Sequence, residues 1–171
     1  MGDYPFMLKQ VEEKLAAGFR CIKIKIGNID FEQELTLLKR IRRAFSYQDI
    51  ELRVDANGAF SPNEALEKLK RLSEWNIHSI EQPIAAGQWD RMAYLVHESP
   101  IPIALDEELI GIHTPEEKQI LLQTIKPHYI ILKPSLHGGI SGCAEWIRLM
   151  QLLNNEQKEE RWWVTSALES N

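Results

Sequence analysis

No apolar stretch of this sequence approaches the roughly 18 residues that a membrane-crossing helix needs. The N-terminal residues Met1-Gly2-Asp3-Tyr4-Pro5 have neither the basic flank nor the apolar run of a signal peptide. Cysteine is scarce. Cys21 and Cys143 do not make a disulfide framework, and a reducing cytoplasm is the expected setting. Neither sign of charge dominates: the net charge is -5 and the charges are interspersed. That argues against nucleic acid or an anionic membrane as a partner. A glycine-rich phosphate loop is also missing, because Ile26-Gly27-Asn28-Ile29-Asp30 lacks the GxGxxG pattern. His78, His97, His113, His128 and His137 show no ligand spacing such as HExxH. No segment reads as a linker or as low complexity.

What is present is a regular alternation. Over 171 residues, enough for one domain with a core, short apolar runs recur at 21–26, 52–56, 79–82, 101–105, 129–132 and 162–165. Their starts lie 22 to 33 residues apart. Helical patterns fill the gaps. Leu35, Leu38 and Ile41 mark a helix over 31–45 behind an Asp30 N-cap. Ser61-Pro62-Asn63-Glu64 and Thr114-Pro115-Glu116-Glu117 both read as capping boxes with proline at the first helical position. Residues 88–97 and 141–153 are shorter helix candidates. Six strand–helix repeats imply parallel strands with crossover helices. A doubly wound sheet and a (β/α)8 barrel of the TIM type both fit; the missing phosphate loop favours the barrel. A whole barrel has eight such units in roughly 250 residues. The expectation is therefore one partial barrel domain over 1–171, truncated to about six βα units.

Polar residues are informative on strands, where neighbours alternate between faces. In Cys21-Ile22-Lys23-Ile24-Lys25-Ile26 the isoleucines share one face and the lysines the other. An edge strand with lysines in water would explain this. So would a barrel strand with two lysines pointing inward. The second strand carries Arg53, Asp55 and Asn57 on one face. The third ends in Ile80-Glu81-Gln82-Pro83, the fourth in Leu105-Asp106-Glu107, the fifth in Leu132-Lys133-Pro134-Ser135. Each charged group falls at the C-terminal end of a strand, which is the catalytic face of a barrel. A single acid there is usually a helix cap. Asp55, Glu81 and Asp106 on consecutive strands would converge and repel, raising some of their pKa values. A hard divalent cation removes that conflict, and oxygen ligands completed by water and substrate suit Mg2+, with Mn2+ able to substitute.

The ordered set KIKIG (23–27), VDANG (54–58), IEQP (80–83), LDEEL (105–109) and KPSLHGG (133–139) resembles the enolase superfamily, muconate-lactonizing subgroup. Within it, KPSLHGG together with TSALESN (165–171) is most similar to the o-succinylbenzoate synthase family of menaquinone biosynthesis. The resemblance runs over nearly the whole chain. It implies a lyase that dehydrates a small carboxylate substrate, 2-succinyl-6-hydroxy-2,4-cyclohexadiene-1-carboxylate, to 2-succinylbenzoate through an enolate. It also implies Asp55, Glu81 and Asp106 as metal ligands, Lys25 as acid/base, and Lys133 as stabiliser of the enolate from the opposite side. Lys23 would hold down the pKa of Lys25. Arg53, Asn57 and Glu107 would be supporting groups, and Ser166, Glu169 and Ser170 would contact substrate. Such relatives carry an N-terminal capping domain and two further βα units, and both are absent here. Two alternatives stand beside this reading. One is dipeptide epimerisation or N-acylamino-acid racemisation on the same scaffold. The other is a non-catalytic barrel fragment that binds a partner or completes itself as a homo-oligomer. Elsewhere, one of Trp162 and Trp163 is expected on the helices and the other in the barrel. Cys21 is expected as a small core filler, and His137 as a satisfied loop histidine. Gly138-Gly139 reads equally as an anion-binding helix start or as a plain turn.

Overall fold

The structure, a computed structural model, describes residues 4–153 and 160–167. Its strands are β1 (Cys21–Lys25), β2 (Glu51–Asp55), β3 (Ser79–Glu81), β4 (Ile103–Leu105), β5 (Tyr129–Leu132) and β6 (Trp162–Val164). Its helices are α1 (Tyr4–Ala16), α2 (Phe31–Ala44), α3 (Ala65–Ser73), α4 (Trp89–Glu98), α5 (Pro115–Ile125) and α6 (Gly139–Leu153). All neighbouring strands are parallel, and their order in the sheet is their order in the chain. A doubly wound sheet reverses strand order at a switch point. This sheet never reverses, so the fold is six units of a (β/α) barrel.

The alternation seen in the sequence sorts the two faces. Ile22, Ile24, Leu52, Val54, Ile80, Ile103, Leu105, Ile130 and Leu132 are all buried. They form one core with Leu35, Leu38 and Ile41 of α2, Leu69 and Leu72 of α3, Leu95 of α4, Leu121 and Leu122 of α5, and Trp146 and Met150 of α6. Truncating one such buried leucine to alanine costs about 2–5 kcal/mol. The opposite face carries Lys23, Lys25, Arg53 and Asp55, and this is the inner face of the barrel. The helices follow their signals. Asp30 accepts hydrogen bonds from the backbone N–H groups of Glu32 and Gln33. Thr114 and Glu117 form a reciprocal capping box at α5, with Pro115 opening the helix. Among the described residues no helix is long and apolar enough to cross a membrane.

Two local expectations are corrected, and one helix is added. Ser61 and Glu64 do not cap reciprocally: the Ser61 hydroxyl donates to the Glu64 carboxylate at 2.9 Å. Residues 62–64 form a turn, and α3 starts only at Ala65. Helix α1 lies outside the expected helices; its Val11 is buried and its Leu15 partly so. Cys21 is exposed rather than a core filler, with its Sγ 3.4 Å from a Glu51 carboxylate oxygen.

Candidate active site

Strand pairing brings the predicted residues together. In the register of the sheet, Lys25 stands beside Asp55 and Asp55 beside Glu81. Adjacent strands lie about 4.8 Å apart, so these side chains are immediate neighbours. Asp106 and Lys133 directly follow the last residues of β4 and β5. All five groups therefore occupy one end of the sheet, where the strands finish and the βα loops begin.

Contacts join these groups into an unbroken row. The Lys25 ammonium donates to Asp55 Oδ2 at 2.7 Å. Lys23 reaches the same oxygen at 2.9 Å and Glu81 Oε2 at 3.2 Å. The Glu81 carboxyl lies against the Asp106 carboxyl. Lys133 closes the row on Asp106 Oδ2 at 2.5 Å. Asp55 and Asp106 are fully buried and Glu81 nearly so. The two lysines named for chemistry thus stand at opposite ends of the three acids.

Electrostatics follow from this crowding. Burial, together with the Asp55 and Asp106 carboxyls, outweighs the pull of Lys23 and pushes Glu81 up to about 8. Asp55 goes the other way: burial works against its charge, but Lys23 and Lys25 hold its pKa below the ordinary value. Lys23 stays firmly protonated, since Glu81 and Asp55 overcome its partial burial.

These residues suit a divalent cation. Among the described residues no three acidic, histidine or cysteine side chains stand in ready metal-binding geometry. The hydrogen bonds supply the reason: the ammonium groups of Lys23, Lys25 and Lys133 sit on the carboxylate oxygens that a cation would need. Two observations fit a site for a positive centre. Asp106 Oδ1 is buried without a hydrogen-bond partner. Glu81 is forced toward its neutral form by burial and by the neighbouring acids. Three oxygen-donor side chains on adjacent strands match the preference of Mg2+ or Mn2+.

Buried polar groups hold the loops that carry these residues. Glu34 of α2 accepts the Gly27 backbone N–H at 2.6 Å and lies close to the N–H groups of Asn28 and Ile29, holding the loop after Lys25. Asn57 sits at φ 43°, in the left-handed region. Its N–H donates to Asp55 Oδ1 at 3.0 Å, its Oδ1 accepts from Lys25 at 2.7 Å, and its Nδ2 donates to Glu107 Oε1 at 2.8 Å. Gln82 is fully buried at φ 39°. Its Oε1 accepts from the N–H groups of Asp106 and Glu108, both at 3.3 Å, while its Nε2 donates to the Ile84 carbonyl at 3.0 Å and to Glu108 Oε2 at 3.1 Å. Glu108 in turn accepts from the Gly87 N–H at 2.7 Å. Sequence reasoning missed Glu34, Gln82 and Glu108. The one available signal was a glutamate beside Leu35, in the apolar stripe of α2.

Residues 7–155 match the enolase C-terminal domain-like family. The chain belongs to that family. It is 53% identical over 171 residues to the o-succinylbenzoate synthase of Desulfotalea psychrophila, covering 100% of this chain and 45% of that protein. The crystal structure of MenC from the same organism aligns with a TM-score of 0.88 and 52% identity, over 99% of this chain and 45% of that one. A racemase from Streptomyces coelicolor A3(2) with bound magnesium shares the fold, with a TM-score of 0.82 at 23% identity over 96% of this chain and 46% of that one. The chain thus spans about half the length of the relatives it matches.

Within this enolase-family barrel the other expected residues divide. Asn57 and Glu107 join the site through the bonds just given. Arg53 turns away from the acids. Its guanidinium bonds Glu51 at 2.6 Å and lies 4.1 Å over the Trp163 ring, one layer below the strand ends. Trp163 also packs on Tyr129 inside the barrel, while Trp162 packs on the outer core, as the alternation requires. Ser166 is exposed just past β6. Glu169 and Ser170 lie outside the described residues.

Proposed function

We propose that this chain carries the acid/base and metal-binding residues of an o-succinylbenzoate synthase. The observation that carries the reading is the row of three buried acids with Lys25 at one end and Lys133 at the other. The 53% identity to the Desulfotalea synthase supports the substrate class.

A proton next to a carboxylate is a very weak acid, and its removal places a second negative charge on the carboxylate oxygens. Mg2+ or Mn2+ held by Asp55, Glu81 and Asp106 would stabilise that added charge and favour the neutral form of nearby lysines. Lys25, in its neutral form, takes the proton from the ring carbon that bears the carboxylate. The electron pair moves onto the carboxylate as an enolate. The Lys133 ammonium faces the enolate from the other side and stabilises it more than the ground state. The electrons then return to the ring, the bond from carbon to the ring hydroxyl breaks, and Lys25 passes its proton to the departing oxygen. Water leaves and the ring becomes aromatic. Asn57 holds the Lys25 nitrogen together with Asp55, which limits the positions from which that nitrogen meets substrate.

The test is turnover of the cyclohexadiene carboxylate by the whole-length protein, read as absorbance of the aromatic product. Lys25→Ala and Lys133→Ala should each lower turnover by orders of magnitude and leave Mg2+ binding largely intact. Asp55→Ala should weaken Mg2+. Near-normal turnover by Lys25→Ala removes the acid/base assignment. Racemisation of an N-acylamino acid or epimerisation of a dipeptide, without dehydration, would move the substrate to those relatives.

A further inference from the structure

The loop after β5 contains a buried histidine that the reaction above does not use. Lys133 is the first residue past β5, so its backbone N–H lies beyond the strand. It donates to Nδ1 of His137 at 2.9 Å. The His137 N–H returns a bond to the Lys133 carbonyl at 3.1 Å, and the Leu136 N–H donates to the same oxygen at 2.8 Å. Residues 133 and 137 therefore close on each other through the imidazole.

The ring has little freedom to do anything else. His137 is buried, and its ring meets the Trp146 indole edge-on at 6.5 Å. With Nδ1 accepting a backbone N–H, the proton of the neutral ring must sit on Nε2. Burial, with Lys133 and Lys118 nearby, holds its pKa below the ordinary value against the opposing pull of Asp106. Helix α6 presses on the same residue, since a Cβ at Gly142 would overlap the His137 carbonyl group. The Lys133 side chain, for its part, is almost fully buried on Asp106. A lysine has many rotamers, so the aim of its ammonium depends on where the backbone is held.

We infer that His137 is a positioning residue for Lys133: its Nδ1 fixes the backbone from which the ammonium reaches Asp106 and the substrate. The inference rests on the proposed role of Lys133 only for its effect on turnover. The geometric part stands separately.

Two variants separate the atoms of the ring. Asparagine places its Oδ1 where Nδ1 stands and can accept the Lys133 N–H. Glutamine places its amide where Nε2 stands and cannot. In the 171-residue chain, His137→Asn should keep the Lys133 amide protected from hydrogen exchange and its Nζ slow to label with an amine reagent, read by mass spectrometry. His137→Gln should speed both by about tenfold or more, the scale of losing one local hydrogen bond, with thermal midpoints of the two variants close together. Equal exchange and labelling in both variants would overturn the inference, as would a change that only tracks the midpoint. If neither variant folds, exchange at the Lys133 amide of the unmodified chain decides: protection no better than that of exposed loop amides overturns it. In the whole-length protein, His137→Gln should lower kcat at least tenfold at similar KM, and His137→Asn should restore it. Altered labelling with unchanged kcat would reject the role in turnover. Full activity in Lys133→Ala would instead reject the proposed function, leaving the labelling result intact.

Discussion

Replacing Lys133 by methionine isolates the energetics of the buried end of the site. The Lys133 ammonium and the Asp106 carboxylate are 2.5 Å apart, and both side chains are almost entirely shielded from water. Asp106 Oδ1 already lacks a partner. Methionine keeps most of the side-chain volume and removes the charge, so packing is nearly preserved while Asp106 loses this cationic partner. Breaking a buried pair from one side costs about 3–5 kcal/mol. For a chain of this size that lowers the thermal midpoint by about 6–20 °C, at 2–4 °C per kcal/mol. Adding Asp106→Asn to Lys133→Met removes the stranded charge, and the double variant should recover most of the loss. The assay is urea unfolding followed by circular dichroism in metal-free buffer, run on the two single variants and the double. A loss below about 1 kcal/mol in Lys133→Met, against the expected 3–5, would refute the reasoning. So would a double variant as unstable as Lys133→Met.

Three further outcomes follow from the same contacts. Glu81 ionises only near pH 8 in the folded chain against an ordinary value of 4.5; a raised acid is stabilising while neutral and costs stability as pH rises, so the metal-free chain should lose stability between those two values relative to Glu81→Gln, measured as urea midpoint against pH. Gly142→Ala drives a methyl into the His137 carbonyl and should destabilise the chain by about 1–3 kcal/mol or more, with a local loss of exchange protection at the start of α6. Gln82→Leu keeps bulk but strands the Asp106 and Glu108 N–H groups and one Glu108 oxygen; at about 1–3 kcal/mol for each buried group left unpaired, several kcal/mol should be lost in calorimetry.

Much of this site was legible before folding was considered. Lys25, Asp55, Glu81, Asp106 and Lys133 announce themselves because charge at the end of an apolar strand has few bland explanations, and period-two alternation says which face each occupies. Asn57 and Glu107 were legible by adjacency. Arg53 shares their face, yet it reaches down to Glu51 and Trp163, and no pattern along the chain tells an upward rotamer from a downward one. Gln82, Glu108 and Glu34 stayed hidden because their partners are backbone groups of other loops, brought near only by the packing of adjacent βα units.

The division is therefore physical. Local patterning determined the six strands, most of the helices and the strand face on which each charge falls, because periodicity and capping act over a few residues, while the ordered motifs carried the resemblance to the family. Tertiary structure alone decided that strand order runs without reversal, that the lysine ammonium groups lie on the acids, and that His137 closes on Lys133. Those facts depend on distances between groups far apart in the chain, or on the burial that selects one hydrogen bond over water.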